Sequence, residues 1–249
     1  TVPGVTIDRQ CGSSQQAVQF AAQAVMSGTQ DVVIAAGVES MTRVPMFSPV
    51  TLAAKAGIGV GPFSERIKKR FGVSDFSQFV GAEMMARKYG FEKDTLDRFA
   101  LESHRRASAA IKSGQFDDEI VPVGIRTATG ATDWHRVDEG VRHDATLEGI
   151  AGVKLLQEGG RISAANASQI CDGAAGVLVA NECAVKRHGL KPVARIRNLT
   201  VTGGDPVIML EEPIRATQRA LERAGLRIGD IDLYEVNEAF APVPLAWLA

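Results

Sequence analysis

The stretch from Ile7 to Gly37 constrains the fold most, because its residue pattern changes from that of a strand to that of a turn, a helix and a second strand. Its first residues are typical of the end of a strand and lead into a turn at Cys11. Gly28 stands where a helix C-terminal cap is expected, and the apolar run 31–37 suits a buried parallel strand. Between them, apolar residues recur at the spacing of a helix that packs one face inward: Ala17, Phe20, Ala21, Ala24 and Val25. The stretch therefore predicts a βαβ unit of an α/β fold.

Cys11 lies at the N-terminal end of this predicted helix. Unpaired backbone N–H groups and the positive end of the helix dipole favour an anion there, and a cysteine thiolate is a nucleophile. Ser13 and Ser14 are small and leave room for a substrate carbonyl. A buried, inert cysteine that packs as a small apolar residue is the alternative. The residues alone leave both interpretations open.

The composition excludes several classes of protein. Hydrophobic residues make up 45% and charged residues 23% of the 249, which is typical of a globular chain. With 28 basic against 29 acidic residues, no global positive charge indicates a nucleic-acid partner, and no apolar run is long enough to span a membrane. Three cysteines without metal-ligand spacing argue against a metal site and a disulfide scaffold. They indicate a reducing compartment, and we predict a cytoplasmic protein.

Residues 41–168 form an insertion without regular alternation of strands and helices. Within it, patterns of apolar residues predict helices over 81–89 and 94–113, a third helix after 148 that ends at Gly159, a strand over 119–123 and a return to the sheet at 161–165. The charges around His104 indicate a solvated side chain, and His143 is interpreted as structural.

The C-terminal part of the chain returns to alternating strands and helices. The patterns there predict strands over 177–180, 191–201 and 231–236, and helices over 182–188, 214–224 and 241–249. Because the chain begins inside a strand-forming segment, 2–7, and stops within an apolar helix, we expect a fragment that folds poorly by itself.

Five short segments resemble one family. They are IDRQCGSSQQAV around Cys11, SQFVGAEMMA from Ser77, VRHDATLEG with Arg142, ISAANAS ending at Ser168, and NEAFA from Asn237. Together they resemble the thiolases, the family of acetyl-CoA C-acetyltransferases and 3-ketoacyl-CoA thiolases. The resemblance implies an α/β, thiolase-like layered fold in which helices cover parallel or mixed sheets and an inserted loop domain binds coenzyme A.

The resemblance also implies a division of the chain into domains. Residues 1–40 and 169–191 would form part of the N-terminal thiolase core, and 41–168 the inserted CoA-binding loop domain. Residues 192–249 would begin the C-terminal core.

Residue roles follow from the matching segments. The resemblance implies that Cys11 is the nucleophile and that the amide of Asn237 holds a water that stabilises the thioester oxyanion. It places Ser168 beside the pantetheine arm and Arg142 near the adenine nucleotide, and Phe240 among the substrate-binding residues. Without the resemblance, Asn237 is a helix N-cap, Ser168 a turn residue and Arg142 ordinary surface.

The chain departs from the family pattern at two places. Asp8 replaces the usual Asn, Ser or Thr, and its charge opposes a thiolate at Cys11. Ser77 and Gln78 stand where short-chain acetoacetyl enzymes carry His-Met, which argues against a strictly acetoacetyl-CoA substrate. The family's Gly-His-Pro histidine and its second cysteine lie beyond NEAFA, so we expect this chain by itself to lack thiolytic activity.

The resemblance implies an acyltransferase. Cys11 would attack a thioester, form an acyl-enzyme and pass the acyl group to coenzyme A or to an acetyl-CoA carbanion. Coenzyme A would be a substrate, with no cofactor bound permanently, and the protein a homodimer or homotetramer. A Cys-dependent thioester hydrolase and a non-catalytic CoA- or lipid-binding protein remain the alternatives.

Overall fold

The computed structural model describes residues 2–249, which divide into two compact units. The first unit comprises the residues up to Ser64 together with Ile170–Val201 and Ala216–Ile231, and the second comprises Glu65–Gln169, Thr202–Arg215 and Asp232–Ala249. The helices are α1 (Ser13–Met26), α2 (Ser48–Lys55), α3 (Glu65–Phe71), α4 (Gln78–Lys88), α5 (Lys93–Lys112), α6 (Leu147–Ala151), α7 (Glu182–His188), α8 (Glu212–Ala224) and α9 (Pro242–Leu248). The strands are β1 (Val32–Ser40), β2 (Val123–Arg126), β3 (Thr132–His135) and β4 (Asp172–Ala180).

The first unit is built on helix α1 and the two-stranded sheet β1–β4. Ala21, Ala22 and Val25 form the buried face of α1. Ala21 and Val25 belong to the predicted face, whereas Phe20, which was also predicted to pack inward, is 50% exposed. Helix α1 approaches β1 closely at Gly37, where a Cβ atom would lie 2.3 Å from the Ser14 hydroxyl oxygen. A glycine at this position therefore lets the helix that follows Cys11 lie directly against the strand.

The pairing of β1 differs from the prediction. The strand forms where the sequence predicts it, but it pairs antiparallel with β4, from Val32 opposite Ala180 to Ser40 opposite Asp172. An apolar run shows that a strand is stable in a sheet and does not show the direction of its partner. The connection between β1 and β4 is long enough to permit either direction.

Three other predicted strands do not form. Residues 2–7, 191–201 and 231–236 lie outside any strand, and Val193 and Leu233 are exposed. A strand exists only through hydrogen bonds to a neighbour, and these segments have no ladder partner among the described residues. Their apolar pattern was therefore insufficient evidence for a strand within this chain.

The second unit has a continuous hydrophobic core that joins α4, α5 and α9. Its fully buried members include Met85 from α4, Leu96 from α5 and Ile162, the first residue of the ISAANAS segment that ends at Ser168. Gly81 of α4 contacts the backbone of Ile208, whose carbonyl oxygen would lie 2.7 Å from a Cβ atom at Gly81. The core therefore supports the segment that carries Ser168.

Within the predicted insertion, strand and helix boundaries shift. Strand β2 begins at Val123 rather than at residue 119 and pairs with β3 as a hairpin, because Pro122 cannot donate a ladder hydrogen bond. Helix α6 ends at Ala151, well before Gly159. Residues 161–165 do not rejoin a sheet, since a 3-10 turn forms over Ala164–Asn166. No helix of residues 2–249 is long and apolar enough to cross a membrane.

Candidate active site

Cys11 is exposed in a tight turn directly before α1. Gln10 adopts a left-handed backbone conformation with φ of 50°, which is uncommon for a residue with a side chain. The turn is closed by backbone hydrogen bonds from Gly12 to Arg9, at 3.1 Å, and from Ser13 to Gln10, at 3.2 Å. The predicted turn and helix are confirmed, and the alternative of a buried Cys11 is wrong.

Side chains on both sides of the turn hold its backbone. The Asp8 carboxylate accepts a hydrogen bond from the Gln10 N–H at 3.0 Å. The Ser13 hydroxyl accepts from the Arg9 N–H at 2.9 Å and donates to the Gln10 carbonyl at 2.7 Å. Asp8 and Ser13 thus stabilise the left-handed residue before Cys11. The sequence analysis missed these roles, although Asp and Ser are the residue types that form such local bonds.

Among the described residues, no side chain caps or neutralises the N-terminus of α1. Its N-cap residue is Gly12, which has no side chain to cap the first N–H groups, and the first turn contains no acidic residue. The first N–H groups of a helix carry partial positive charge. This arrangement favours a thiolate, or an oxyanion formed from a bound carbonyl, next to Cys11.

In the second unit, the Ser168 segment pairs with the NEAFA segment. The Ser168 N–H donates to the Ala239 carbonyl and the Ala241 N–H donates to the Asn166 carbonyl, both at 2.9 Å. These bonds form an isolated antiparallel bridge centred on Ala167 and Phe240. The bridge brings together two motifs that lie far apart in the sequence, with Asn237 and Ser168 both exposed at its edge.

Asn166 connects this bridge to the core. Its side-chain amide donates to the Asp97 carboxylate at 3.0 Å and to the Arg161 carbonyl at 3.1 Å, and its oxygen accepts from the Ser163 N–H at 2.9 Å. Asp97 is 1% exposed and is paired with Lys93 on the same helix. By its pattern alone, Asn166 is an ordinary turn or cap residue, and these buried partners were not predicted. The spacing of Ser163 and Asn166, which together form a capping box, is the signal that could have identified it.

Phe240 belongs to the core in this chain. It is 2% exposed, and its ring packs edge-to-face against Phe79 with centroids 5.7 Å apart. Such a pair is favourable beyond its burial alone. The buried ring of Phe240 therefore anchors the bridge to the hydrophobic core. Its participation in substrate binding stays a prediction.

Arg142 lies next to His104. The Arg142 N–H donates to Nδ1 of His104 at 3.3 Å. Partial burial and the positive charge of Arg142 lower the pKa of His104, against a smaller opposing effect of Glu238. His104 is half-buried and hydrogen-bonded, so it is less solvated than predicted. His143 is hydrogen-bonded to the Ser108 hydroxyl at 2.8 Å, in agreement with a structural role.

Glu238, the residue after Asn237, accepts a hydrogen bond from the Ser103 hydroxyl of α5 at 2.7 Å. The second unit thus carries Ser168, Asn237, Phe240 and Arg142 on segments that are tied to helix α5. Cys11 belongs to the first unit, where the turn and α1 position it.

Comparisons with known proteins establish the family. The model of the thiolase N-terminal domain matches residues 1–183, and that of the thiolase C-terminal domain matches residues 190–249. The chain belongs to the thiolase family, and its α/β thiolase-like fold is confirmed. It is similar to the human mitochondrial 3-ketoacyl-CoA thiolase, with a TM-score of 0.83 and 35% identity over 98% of this chain and 62% of that one.

Two curated relatives show the range of the similarity. Steroid 3-ketoacyl-CoA thiolase FadA6 of Mycobacterium tuberculosis is 51% identical over 99% of this chain and 60% of its own length. Beta-ketothiolase BktB of Cupriavidus necator is 42% identical over 96% of this chain and 61% of its length. The chain thus spans about three fifths of the relatives that it matches.

Proposed function

We propose that the protein is an acyl-CoA C-acyltransferase of the thiolase type, in which Cys11 carries the acyl group. The single observation that supports this most is the exposed thiol in a side-chain-braced turn at the open N-terminus of α1. That arrangement gives a nucleophile and nearby N–H groups of partial positive charge, which acyl transfer needs. The similarity to 3-ketoacyl-CoA thiolases supports the same reaction.

In the proposed cleavage, the thiolate of Cys11 attacks the 3-keto carbon of a 3-ketoacyl-CoA. A bond forms between the sulfur and that carbon, the bond between carbons 2 and 3 breaks, and the acetyl-CoA carbanion takes up a proton. A second coenzyme A then gives up its thiol proton, which balances the proton taken up by the carbanion. Its sulfur displaces Cys11, which leaves as a thiolate, and the shortened acyl-CoA is released. Condensation is the same sequence in reverse.

The residues of the second unit would serve binding and charge stabilisation. We propose that Ser168 contacts the pantetheine arm, that Arg142 contacts the adenine nucleotide and that Asn237 supports the oxyanion through a water. Phe240 would contribute to the substrate pocket from its place beside the bridge. The bridge supports these roles because it holds Ser168 and Asn237 at one edge.

The relatives suggest which substrates to test. The relative at 51% identity is named for a steroid 3-ketoacyl-CoA, so a steroid-derived acyl group is the first to compare with straight-chain 3-ketoacyl groups. We further propose that coenzyme A is a substrate rather than a resident cofactor, and that the protein is a cytoplasmic homodimer or homotetramer. The assignment of 41–168 as a CoA-binding loop domain, inserted in the sequence between the two parts of the N-terminal core at 1–40 and 169–191, is part of the same proposal.

Mass spectrometry of the intact chain tests the function. After incubation with an acyl-CoA, whose thioester can acylate Cys11 without carbon–carbon cleavage, we expect an added acyl mass that maps to the peptide with Cys11 and is absent in Cys11→Ser. The variants Cys171→Ser and Cys183→Ser are matched controls, since both thiols are also exposed. Acylation that survives Cys11→Ser would contradict the proposal. Rapid loss of the acyl group to water without coenzyme A would indicate a hydrolase instead.

A further inference from the structure

Glu83 is a buried carboxylate in the middle of helix α4, and it has no part in the proposed chemistry. It is 5% exposed. One of its oxygens, Oε1, accepts hydrogen bonds from the backbone N–H groups of Arg161, at 2.5 Å, and Ile162, at 2.8 Å. A buried carboxylate is costly without such partners. The side chain is therefore committed to the backbone that leads into the segment ending at Ser168.

The loop at 160–162 lies directly against α4. A Cβ atom at Gly160 would lie 2.3 Å from Oε1 of Glu83, so a glycine is needed for this close approach. The Arg161 guanidinium also ties the loop to the end of α4, since it donates to the carbonyl oxygens of Ala86, at 3.1 Å, and Phe91, at 2.9 Å. Backbone and side chain of the loop are thus both fixed.

A continuous chain of hydrogen bonds connects this loop to Ser168. The Arg161 carbonyl accepts from the side-chain amide of Asn166 at 3.1 Å. The Asn166 carbonyl in turn accepts from the Ala241 N–H at 2.9 Å, and the Ser168 N–H donates to the Ala239 carbonyl at the same distance. A shift of the Arg161 peptide would therefore reach the bridge through Asn166.

The second oxygen of Glu83 contributes little to this arrangement. Within residues 2–249, Oε2 has no hydrogen-bond partner, and its ion pair with Arg87 spans 3.9 Å. The grip on the loop thus depends on Oε1 and on the length of the side chain. Glutamine offers an oxygen at the same reach and loses no hydrogen bond at Oε2, whereas aspartate keeps the charge and is one methylene shorter.

We propose that Glu83 is a positioning residue, which acts through the backbone of 160–162 to hold Ser168 in place for the pantetheine arm of coenzyme A. The inference rests on the proposed contact between Ser168 and that arm and assigns its geometry to a residue of α4. A contact that is fixed before binding loses less conformational freedom when the ligand arrives.

Calorimetric titration of the intact chain with coenzyme A tests the proposal. The variants are Glu83→Ala, Glu83→Asp and Glu83→Gln, and the first two are repeated together with Ser168→Ala. Glu92→Ala is the matched control, because Glu92 is an exposed carboxylate that binds only the side chain of the same Arg161, at 2.7 Å. Circular dichroism verifies each fold, and Glu83→Asp decides the matter if Glu83→Ala does not fold.

We expect Ser168→Ala to raise the dissociation constant for coenzyme A about fivefold, the usual effect of one lost hydrogen bond. Glu83→Ala and Glu83→Asp should raise it by a similar factor. In the Ser168→Ala background their further effect should be less than about twofold, because the contact that they position is already gone. Glu83→Gln and Glu92→Ala should stay within about twofold of the wild type.

Four results would overturn the proposal. They are unchanged coenzyme A binding in Glu83→Ala and Glu83→Asp, an equal loss with and without the Ser168 hydroxyl, a loss in Glu83→Gln as large as in Glu83→Asp, and no coenzyme A binding by the intact chain. Acylation of Cys11 is measured separately. The acyltransferase function can therefore stand when the role of Glu83 fails, and its own failure would be visible as an unmodified Cys11.

Discussion

At the scale of single residues, exposure does not distinguish the three cysteines. Cys11, Cys171 and Cys183 are all exposed. Differences in their reactivity must therefore come from the electrostatic potential and the hydrogen bonds around each thiol. Cys11 alone directly precedes the uncapped N-terminus of a long helix, in a turn braced by Asp8 and Ser13. Partial positive charge at that end raises the thiolate fraction of an adjacent cysteine.

We therefore predict that brief treatment with iodoacetamide labels Cys11 about tenfold faster than either other cysteine, in line with the usual effect of a helix N-terminus on a thiol. Peptide mapping at several times gives the three rates, and prior incubation with an acyl-CoA should protect Cys11 selectively. Equal rates for all three thiols would count against an activated nucleophile.

Tyr89 provides a prediction on pH. Burial, followed by its hydrogen bond and charge interaction with Glu211, raises the pKa of Tyr89 to about 12. Because its folded pKa lies above the unfolded value of 10.0, Tyr89 contributes stability that is complete below pH 10 and is lost as the pH rises towards 12.

The chain has two tyrosines, so phenolate absorbance can follow Tyr89 after subtraction of the Tyr89→Phe titration. We expect the Tyr89 signal to appear only near the alkaline unfolding transition. The urea midpoint of the wild-type chain should fall between pH 10 and 12 more than that of Tyr89→Phe. A Tyr89 signal complete by about pH 10, the usual tyrosine value, would contradict this.

At the scale of elements, the sequence predicts the positions of helices better than the pairing of strands or the contacts between distant segments. Helices α1, α5, α7 and α8 form where apolar periodicity and glycine stops place them. The pattern of apolar residues shows that β1 and β4 are strands, but it does not show that they pair with each other or that the pairing is antiparallel. The bond between Asn166 and the buried Asp97 could not be predicted, because the two residues lie 69 positions apart in the sequence.

The bridge between the Ser168 and NEAFA segments depends on Asn166. We predict that Asn166→Ala lowers the free energy of unfolding by about 2–4 kcal/mol, because it leaves the Asp97 carboxylate and the Ser163 N–H buried without this partner. Ser168→Ala is the control: only its backbone N–H, which the variant keeps, joins the bridge. It should change stability by less than about 0.5 kcal/mol. Urea denaturation measures both, and similar losses would show that Asn166 is not the anchor.

Gly81 tests the packing of α4. We predict that Gly81→Ala destabilises the chain by about 1–3 kcal/mol, because its Cβ would lie 2.7 Å from the Ile208 carbonyl oxygen. Gly203→Ala is matched, since nothing lies within 4 Å of a Cβ there. Thermal unfolding of the two variants should differ clearly. A stable Gly81→Ala variant would mean that the Ile208 segment moves away at little cost.

At the scale of the whole molecule, the sheet of the first unit has one uncovered apolar face. Residues directly opposite each other in an antiparallel pair share a face, and Ile34 is paired with Leu178. Both are at least half exposed, and Val38 on the same face is 82% exposed. Uncovered apolar surface of this kind promotes association.

We predict that the chain self-associates in size-exclusion chromatography, and that Ile34→Thr combined with Leu178→Thr shifts it towards the monomer. Threonine is β-branched and suits a strand, so the sheet should persist, as circular dichroism can verify. Val193→Thr, at an exposed site outside the sheet, is the control. A wild-type chain that elutes as a monomer at all concentrations would contradict the prediction.

The antiparallel pairing of β1 and β4 also determines when the first unit can form during synthesis. The Ser40 hydroxyl donates a hydrogen bond to the Asp172 carboxylate, which lies 132 positions later in the sequence. Along the chain, the whole segment Glu65–Gln169 of the second unit comes between β1 and β4. Strand β1 therefore leaves the ribosome well before β4, the strand with which it pairs. Contacts at such separation form slowly, and open strand edges are vulnerable meanwhile. Slowing translation between these strands would prolong that exposed state, so chaperone dependence should depend on codon choice within 65–169 more than on codon choice after β4.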